Sequence, residues 1–185
     1  ADLYVPGIAM LPQHVQYNHG TFNTSLLEAF LAKVAAEGKS WRGHVLLYPA
    51  KDPAWVAQVV NASNWQVEMD AHFQAIAAVP GVQSCTNLDV VNELLSATTD
   101  DGYRHNTWYN AVGGNAPEYI AYAFTKAREL WPDTPLYFCH DHSEQITDGY
   151  HDRHTVNMLR CIEACLERGA PIDGFNQQAH LTYRL

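Results

Sequence analysis

Short apolar runs alternate with helix-length amphipathic stretches along this chain, and that alternation restricts the fold more than any other feature. The runs cover residues 44–48, 87–91, 136–139 and 172–178, with a further one at 8–11. Their starts, near residues 8, 44, 87, 136 and 173, lie 36 to 49 residues apart, and a βαβ unit needs roughly 30 or more. Run–helix–run order predicts parallel strands joined by crossover helices, an α/β fold with five strands. Four stretches carry helical spacing. Ser25 and Glu28 read as a capping box opening a helix with Leu27, Phe30, Leu31 and Val34 on one face. A second helix, 66–79, buries Met69, Phe73 and Ile76 and stops at Pro80-Gly81. A third starts near Pro117, uses Ile120, Phe124, Ala127 and Trp131, and ends at Pro132. The fourth covers about 152–168, with Leu159, Ile162 and Leu166 inward and Gly169 as its cap.

With 185 residues, 47% of them hydrophobic, the chain can bury a sizeable core and is not a disordered segment. No repeat, low-complexity tract or linker divides it, so residues 1–185 read as a single domain. A net charge of −9 argues against nucleic acid or an anionic membrane surface as partner. No apolar run reaches the roughly 18 residues a membrane span needs. The chain starts at Ala1 without a leader pattern, which reads as a mature or trimmed product. Cys85, Cys139, Cys161 and Cys165 form no Cys-x-x-Cys pair and are expected as buried free thiols. Sequons at Asn23 and Asn61, both in expected loops, favour a secreted, extracellular glycoprotein.

The chemistry gathers at the end of one run. Leu88-Asp89-Val90-Val91-Asn92-Glu93 finishes an apolar strand with an amide and a carboxylate. In a β/α barrel the carboxyl ends of strands face the active site. A Glu there can serve as general acid if burial raises its pKa, and its Asn neighbour can bond a substrate hydroxyl. The bland alternative is a glutamate on a solvated loop after a strand.

Asp89-Val90-Val91-Asn92-Glu93 resembles the acid/base strand of glycoside hydrolase family 10, the retaining endo-β-1,4-xylanases, and four flanking regions agree in order. Trp41-Arg42-Gly43-His44-Val45-Leu46-Leu47-Tyr48 with Asp52-Pro53-Ala54-Trp55-Val56 resembles the third-strand motif. Trp108-Tyr109-Asn110-Ala111-Val112-Gly113, then Glu118-Tyr119-Ile120 through Ala127-Arg128, resembles the segment leading through the fourth helix. Pro132-Asp133-Thr134-Pro135-Leu136-Tyr137 resembles the entry to the fifth strand. Glu167-Arg168-Gly169-Ala170-Pro171-Ile172-Asp173-Gly174, followed by Gln177-Gln178-Ala179-His180-Leu181, resembles the sixth-strand region.

The resemblance implies part of a (β/α)8 TIM barrel, about strands two to six with their helices. It implies Glu93 as general acid/base, Asn92 at the sugar 2-hydroxyl, and His44 lining the same subsite. Gln178 and His180 would orient the nucleophile and its sugar. The implied substrate is β-1,4-xylan or a related polysaccharide, cleaved by double displacement between carboxyl groups about 5–5.5 Å apart. No metal and no cofactor belong to this reading.

Several positions depart from the family pattern. The second-strand sugar-gripping pairs are replaced by Gly7-Ile8-Ala9-Met10-Leu11-Pro12, the tryptophan before the acid/base motif is Leu88, and Trp-His reads Tyr48-Pro49. The fifth-strand Asn-Asp reads Cys139-His140-Asp141. The nucleophile glutamate, on strand seven in the family, is expected beyond Leu185, so that the 185 residues alone are expected to be inactive. The remaining strands of its own barrel, or other extracellular subunits, are the expected partners of such an open sheet. His140, His142, His151 and His154 have spacings that zinc or copper ligands use, but they are read here as solvated loop histidines. Trp131 and Tyr119 are read as core, and Tyr48 and Trp55 as the aromatics near the cleft. Two functional classes follow. One is a secreted polysaccharide hydrolase, favoured by Asn92, Glu93, His44 and His180. The other is a non-catalytic relative that binds glycan or serves a structural role, favoured by the lost second-strand grip.

Overall fold

The computed structural model describes residues 2–142 and 149–179, with side chains from residue 153 onward in the second stretch. Strand β1 (Leu3–Tyr4) is followed by α1 (Pro12–Val15) and α2 (Ser25–Ala36), then by strands β2 (Ser40–Trp41) and β3 (Gly43–Leu47). Helices α3 (Val56–Val59) and α4 (Trp65–Ala77) lead to β4 (Leu88–Asn92), and α5 (Thr107–Ala111) and α6 (Ala116–Leu130) lead to β5 (Leu136–His140). Helix α7 (Gly149–Leu166) returns to β6 (Gly174–Gln177). Strands β3 to β6 form a parallel sheet in chain order, and β1 pairs in parallel with β2. Arg42 alone separates β2 from β3. Its N–H donates to the Tyr4 carbonyl on one side, while Gly43 N–H donates to Asn87 on the other, both at 2.9 Å. The segment 40–47 therefore links the two sheets into one parallel progression.

Three expectations about elements need correction. The run 8–11 is not a strand but a 3-10 turn, Gly7–Met10, that buries Ala9 and Met10. Pro6 precedes it and Pro12 opens α1, and a proline has no N–H to give a ladder. The first strand is β1 instead. Helix α7 is rotated by one residue from the expected phase. Met158, Cys161 and Cys165 face inward, whereas Leu159 and Leu166 are about half exposed, at 56% and 50%. Small cysteines let α7 approach α6, and Cys165 Sγ lies 3.9 Å from the Pro117 carbonyl. All four cysteines are buried and unbridged, as expected. At α2 the cap is Thr24 rather than Ser25, and the Thr24 hydroxyl donates to Glu28 at 2.7 Å.

The inward faces of α4 (Met69, Phe73, Ile76) and α6 (Ile120, Phe124, Ala127) pack with Leu46, Val90 and Phe138 of the sheet in one core. Tyr119 and Trp131 are fully buried in it. Strands β3 and β4 approach so closely that a Cβ on Gly43 would meet Leu88 Cδ1 at 2.5 Å.

His72 of α4 is buried in this core and its Nε2 lies 3.1 Å from the Leu46 carbonyl, so Nε2 carries the proton and donates. Burial pushes its imidazole down to about 4, against a smaller upward pull from the Leu46 bond. An unfolded histidine takes up its proton near 6.5, so the neutral buried ring contributes stability above that pH. The contribution is lost as pH falls from there through about 4. The stability advantage of the wild type over His72→Gln should therefore shrink by a few kcal/mol between pH 7 and pH 4. Urea titrations at the two pH values measure it, and a pH-independent difference would contradict the assignment.

Candidate active site at the strand ends

Four side chains occupy equivalent places. Tyr48, Glu93, Asp141 and Gln178 are each the first residue past the carboxyl end of β3, β4, β5 and β6. Because these strands are parallel and adjacent, the four residues share one rim of the sheet. Two backbone bonds continue the ladder past the strands: Glu93 N–H to the Cys139 carbonyl at 3.2 Å, and Gln178 N–H to the His140 carbonyl at 3.1 Å. Glu93 has φ +55°, the left-handed region that an L-residue enters at a cost of roughly 1 kcal/mol. Surrounding bonds hold it there.

Those bonds converge on the carboxylate. Gln178 Nε2 donates to Glu93 Oε1 at 2.7 Å and to Asn92 Oδ1 at 3.0 Å. Arg104 Nη1 donates to Glu93 Oε2 at 2.9 Å, and its Nη2 donates to both oxygens of Asp141, at 2.9 and 3.1 Å. The Tyr48 hydroxyl is hydrogen-bonded to Glu93 as well. Burial pushes the Glu93 carboxyl up, but bonds from Gln178, Tyr48 and Arg104 and the guanidinium charge outweigh it. The net position is below the ordinary carboxylate value. This reverses the direction expected of a buried acid: the described surroundings favour the ionised form. Burial and the neighbouring Glu93 push the Tyr48 phenol far above its usual range, so it remains a donor.

A second set lies beside the first. Asp89 is fully buried, accepts from His44 Nδ1 at 2.7 Å and from Asn176 Nδ2 at 2.5 Å, and pairs with Arg42 at 3.5 Å. His44 is thus fixed by Asp89, while Asn92, Glu93, Gln178 and Tyr48 bond to one another. Cys139 stands between the sets, its Sγ within 4.8 Å of ligand atoms of His44 and Asp89. It opposes Asn92 in register across β4 and β5. Burial pushes its thiol well above its ordinary range.

His180 and the side chain of His151 lie outside the described residues. His140 and His154 are not solvated, contrary to expectation: they are 0% and 1% exposed, and their Nε2 and Nδ1 atoms approach to 2.9 Å. Of the two aromatics expected near the cleft, Tyr48 reaches Glu93. Trp55 instead donates to the Gln16 carbonyl at 2.8 Å and packs on His19. Asn23 and Asn61 are exposed in loops, each accepting from the serine two residues on. Arg104 was not singled out from sequence, and Asp141 entered only in the fifth-strand departure. Their pairing spans 37 residues, and an arginine in the loop before α5 carries no local pattern that points to a carboxylate on β4.

Parallel β/α units whose strands end in a hydrogen-bonded carboxylate cluster define a β/α-barrel architecture with a candidate polar cleft at the strand ends. Residues 2–184 match the sequence profile of Glycosyl hydrolase family 10, and the chain belongs to that family. It is 31% identical over 182 residues to endo-1,4-beta-xylanase A of Fusarium oxysporum f. sp. lycopersici, covering 96% of this chain and 51% of that protein. Against endo-1,4-beta-xylanase A of Caldicellulosiruptor sp. the identity is 28%, over 96% of this chain and 26% of the relative. The chain thus spans about a quarter to a half of the length of these relatives. A psychrophilic family 10 endo-beta-1,4-xylanase structure superposes with a TM-score of 0.85 at 24% identity, covering 97% of this chain and 56% of its own. Xylanase 10B of Thermotoga petrophila superposes with a TM-score of 0.81 at 23% identity, over 96% and 51%. The partial-barrel fold expected from sequence is that of these structures.

Proposed function

We propose that Glu93 is the general acid/base of a retaining glycanase acting on β-1,4-xylan or a related polysaccharide, its nucleophile supplied by a later strand of the barrel. One observation carries this reading: Glu93 stands in left-handed backbone just past β4, its two carboxylate oxygens held by donors from the residue after β6 and from the loop before α5. In the first step a protonated Glu93 gives its proton to the glycosidic oxygen while the nucleophile attacks the anomeric carbon. In the second, the Glu93 carboxylate takes a proton from water, which releases the sugar. Gln178 orients Glu93 and Asn92 together; one Asn92 amide N–H leans on Glu93 Oε1 at 3.5 Å, and the other serves a sugar hydroxyl. His44, aligned by Asp89, lines the same subsite, with His180 on the nucleophile side. Among the described residues β1 and β6 each pair on one side only, which fits the remaining strands of such a barrel. Exposed Asn23 and Asn61 support a secreted, glycosylated form.

Arg104 opposes the first step, because an acid must be protonated to act. A nucleophile carboxylate about 5–5.5 Å away would counter the guanidinium by pushing Glu93 up. In the full-length chain carrying these residues, kcat/KM on xylan should therefore fall as pH rises through the Glu93 pKa. In Arg104→Met, which removes the cation, that falling limb should move to higher pH. A limb that stays in place would separate Arg104 from Glu93 ionisation. A second reading, a glycan-binding relative without turnover, is favoured by the 3-10 turn at Gly7–Met10, where the family carries sugar-gripping residues. It predicts retention on insoluble xylan with no new reducing ends.

A further inference from the structure

We propose that the junction of β5 and α7 is a divalent transition-metal site, with Zn2+ as the ion, built on His140 and His154 and oriented by Asp141. His140 is the last residue of β5, and His154 projects from α7. Both are buried, with Nε2 of the first 2.9 Å from Nδ1 of the second. Two imidazole nitrogens on one tetrahedral zinc, each about 2.0–2.1 Å from it, stand about 3.3 Å apart. A separation increase of a few tenths of an ångström would thus replace the shared N–H by an ion.

The opposite nitrogen of His140 supplies an independent sign. His140 Nδ1 is buried without a hydrogen bond, and Asp141 Oδ1 lies 3.1 Å from it. A carboxylate against the far nitrogen of a ligating imidazole fixes the tautomer and raises the basicity of the ligating atom. Metal on Nε2 obliges Nδ1 to carry the proton, which gives Asp141 a donor and removes the one unsatisfied atom of the ring. His142 stands on the solvent side of the pair. Its Nε2 is 3.5 Å from Asp141 Oδ2, its ring centroid is 5.5 Å from that of His154, and its side chain is 43% exposed. Turning this exposed ring from Asp141 toward the pair would bring a third nitrogen to the ion. A donor set of imidazoles suits Zn2+, Co2+, Ni2+ or Cu2+ and not Mg2+ or Ca2+, which take oxygen. Asp141 also pairs with Arg104, so the ion would sit one residue behind the guanidinium that holds Glu93.

The test uses the full-length chain, untagged and freed of metal with a chelator. It is titrated with Zn2+ by calorimetry and with Co2+ by visible absorption, and Mg2+ serves as control. Expected are one Zn2+ per chain, an intense tetrahedral Co2+ band, and no Mg2+ binding. His154→Gln should abolish the band, and Asp141→Asn should weaken Zn2+ about 10- to 100-fold. Should His154→Gln fail to fold, His142→Gln, at an exposed side chain, carries the test and should weaken Zn2+ at least 10-fold. Absence of stoichiometric binding would overturn the proposal. So would an affinity unchanged in the folded variants, because the ion would then be held by other histidines.

Discussion

Produced as these 185 residues and nothing more, the polypeptide is expected to release no measurable sugar from xylan or from an aryl β-xyloside. Retaining hydrolysis needs a second carboxylate free to attack the anomeric carbon. Among the described residues of this cluster, the two carboxylates other than Glu93, Asp89 inside β4 and Asp141 just past β5, are both engaged. Asp89 is fully buried and bonded to His44 and Asn176. Asp141 is gripped by Arg104 through both oxygens. A carboxylate whose lone pairs are committed to cations and amides is a poor nucleophile, and neither can substitute for a free one. The same polypeptide should bind a hydrophobic dye at its apolar rim, where Leu3 and Phe175 are exposed at opposite ends of the sheet. A reducing-sugar assay over many hours, with the full-length chain as reference, measures the activity. Reproducible hydrolysis by the 185 residues would show that the described cluster supplies its own nucleophile.

The second large effect concerns Glu93 in the full-length chain. Glu93→Gln keeps the shape and leaves an amide in contact with Gln178, Arg104 and Tyr48, yet it can neither give nor take the proton. A positioned general acid/base contributes about 10²- to 10⁴-fold, and turnover of xylan should fall by that amount. Because Arg104 then faces an uncharged partner, some of the loss in stability must be read separately, by urea denaturation of the same variant. A variant as stable as the wild type and fully active would remove Glu93 from the mechanism.

Much of this was legible before any coordinates, and the reasons are local. Asn92 and Glu93 follow an apolar run directly, and strand ends in a β/α fold put such residues on one rim; Gln178 came from the family resemblance and Tyr48 from its place among the aromatics near the third-strand motif. The phase of α7 was not, because leucine outranks cysteine in hydropathy. Packing decided otherwise: Cys161 and Cys165 allow a close approach to α6 that Leu159 and Leu166 would block. The run at 8–11 is apolar enough for a strand, yet Pro6 and Pro12 flank it and a turn results. His140 and His154 show the limit most clearly. Four histidines close in sequence say nothing of burial, and only the crossing of α7 over the end of β5 takes two of them out of water. Arg104 was illegible for a related reason, since its role is defined by partners on two other strands.

The central claim, that Glu93 donates the proton to the leaving group, is tested most directly by changing how much that group needs one. For the full-length Glu93→Gln variant, kcat/KM would be measured on xylan and on a dinitrophenyl β-xyloside, whose leaving group departs with hardly any protonation. The account predicts a loss of about 10²- to 10⁴-fold on xylan and a far smaller one on the activated xyloside. Equal losses on the two substrates would contradict it, because they would make Glu93 a structural or binding residue and not the acid.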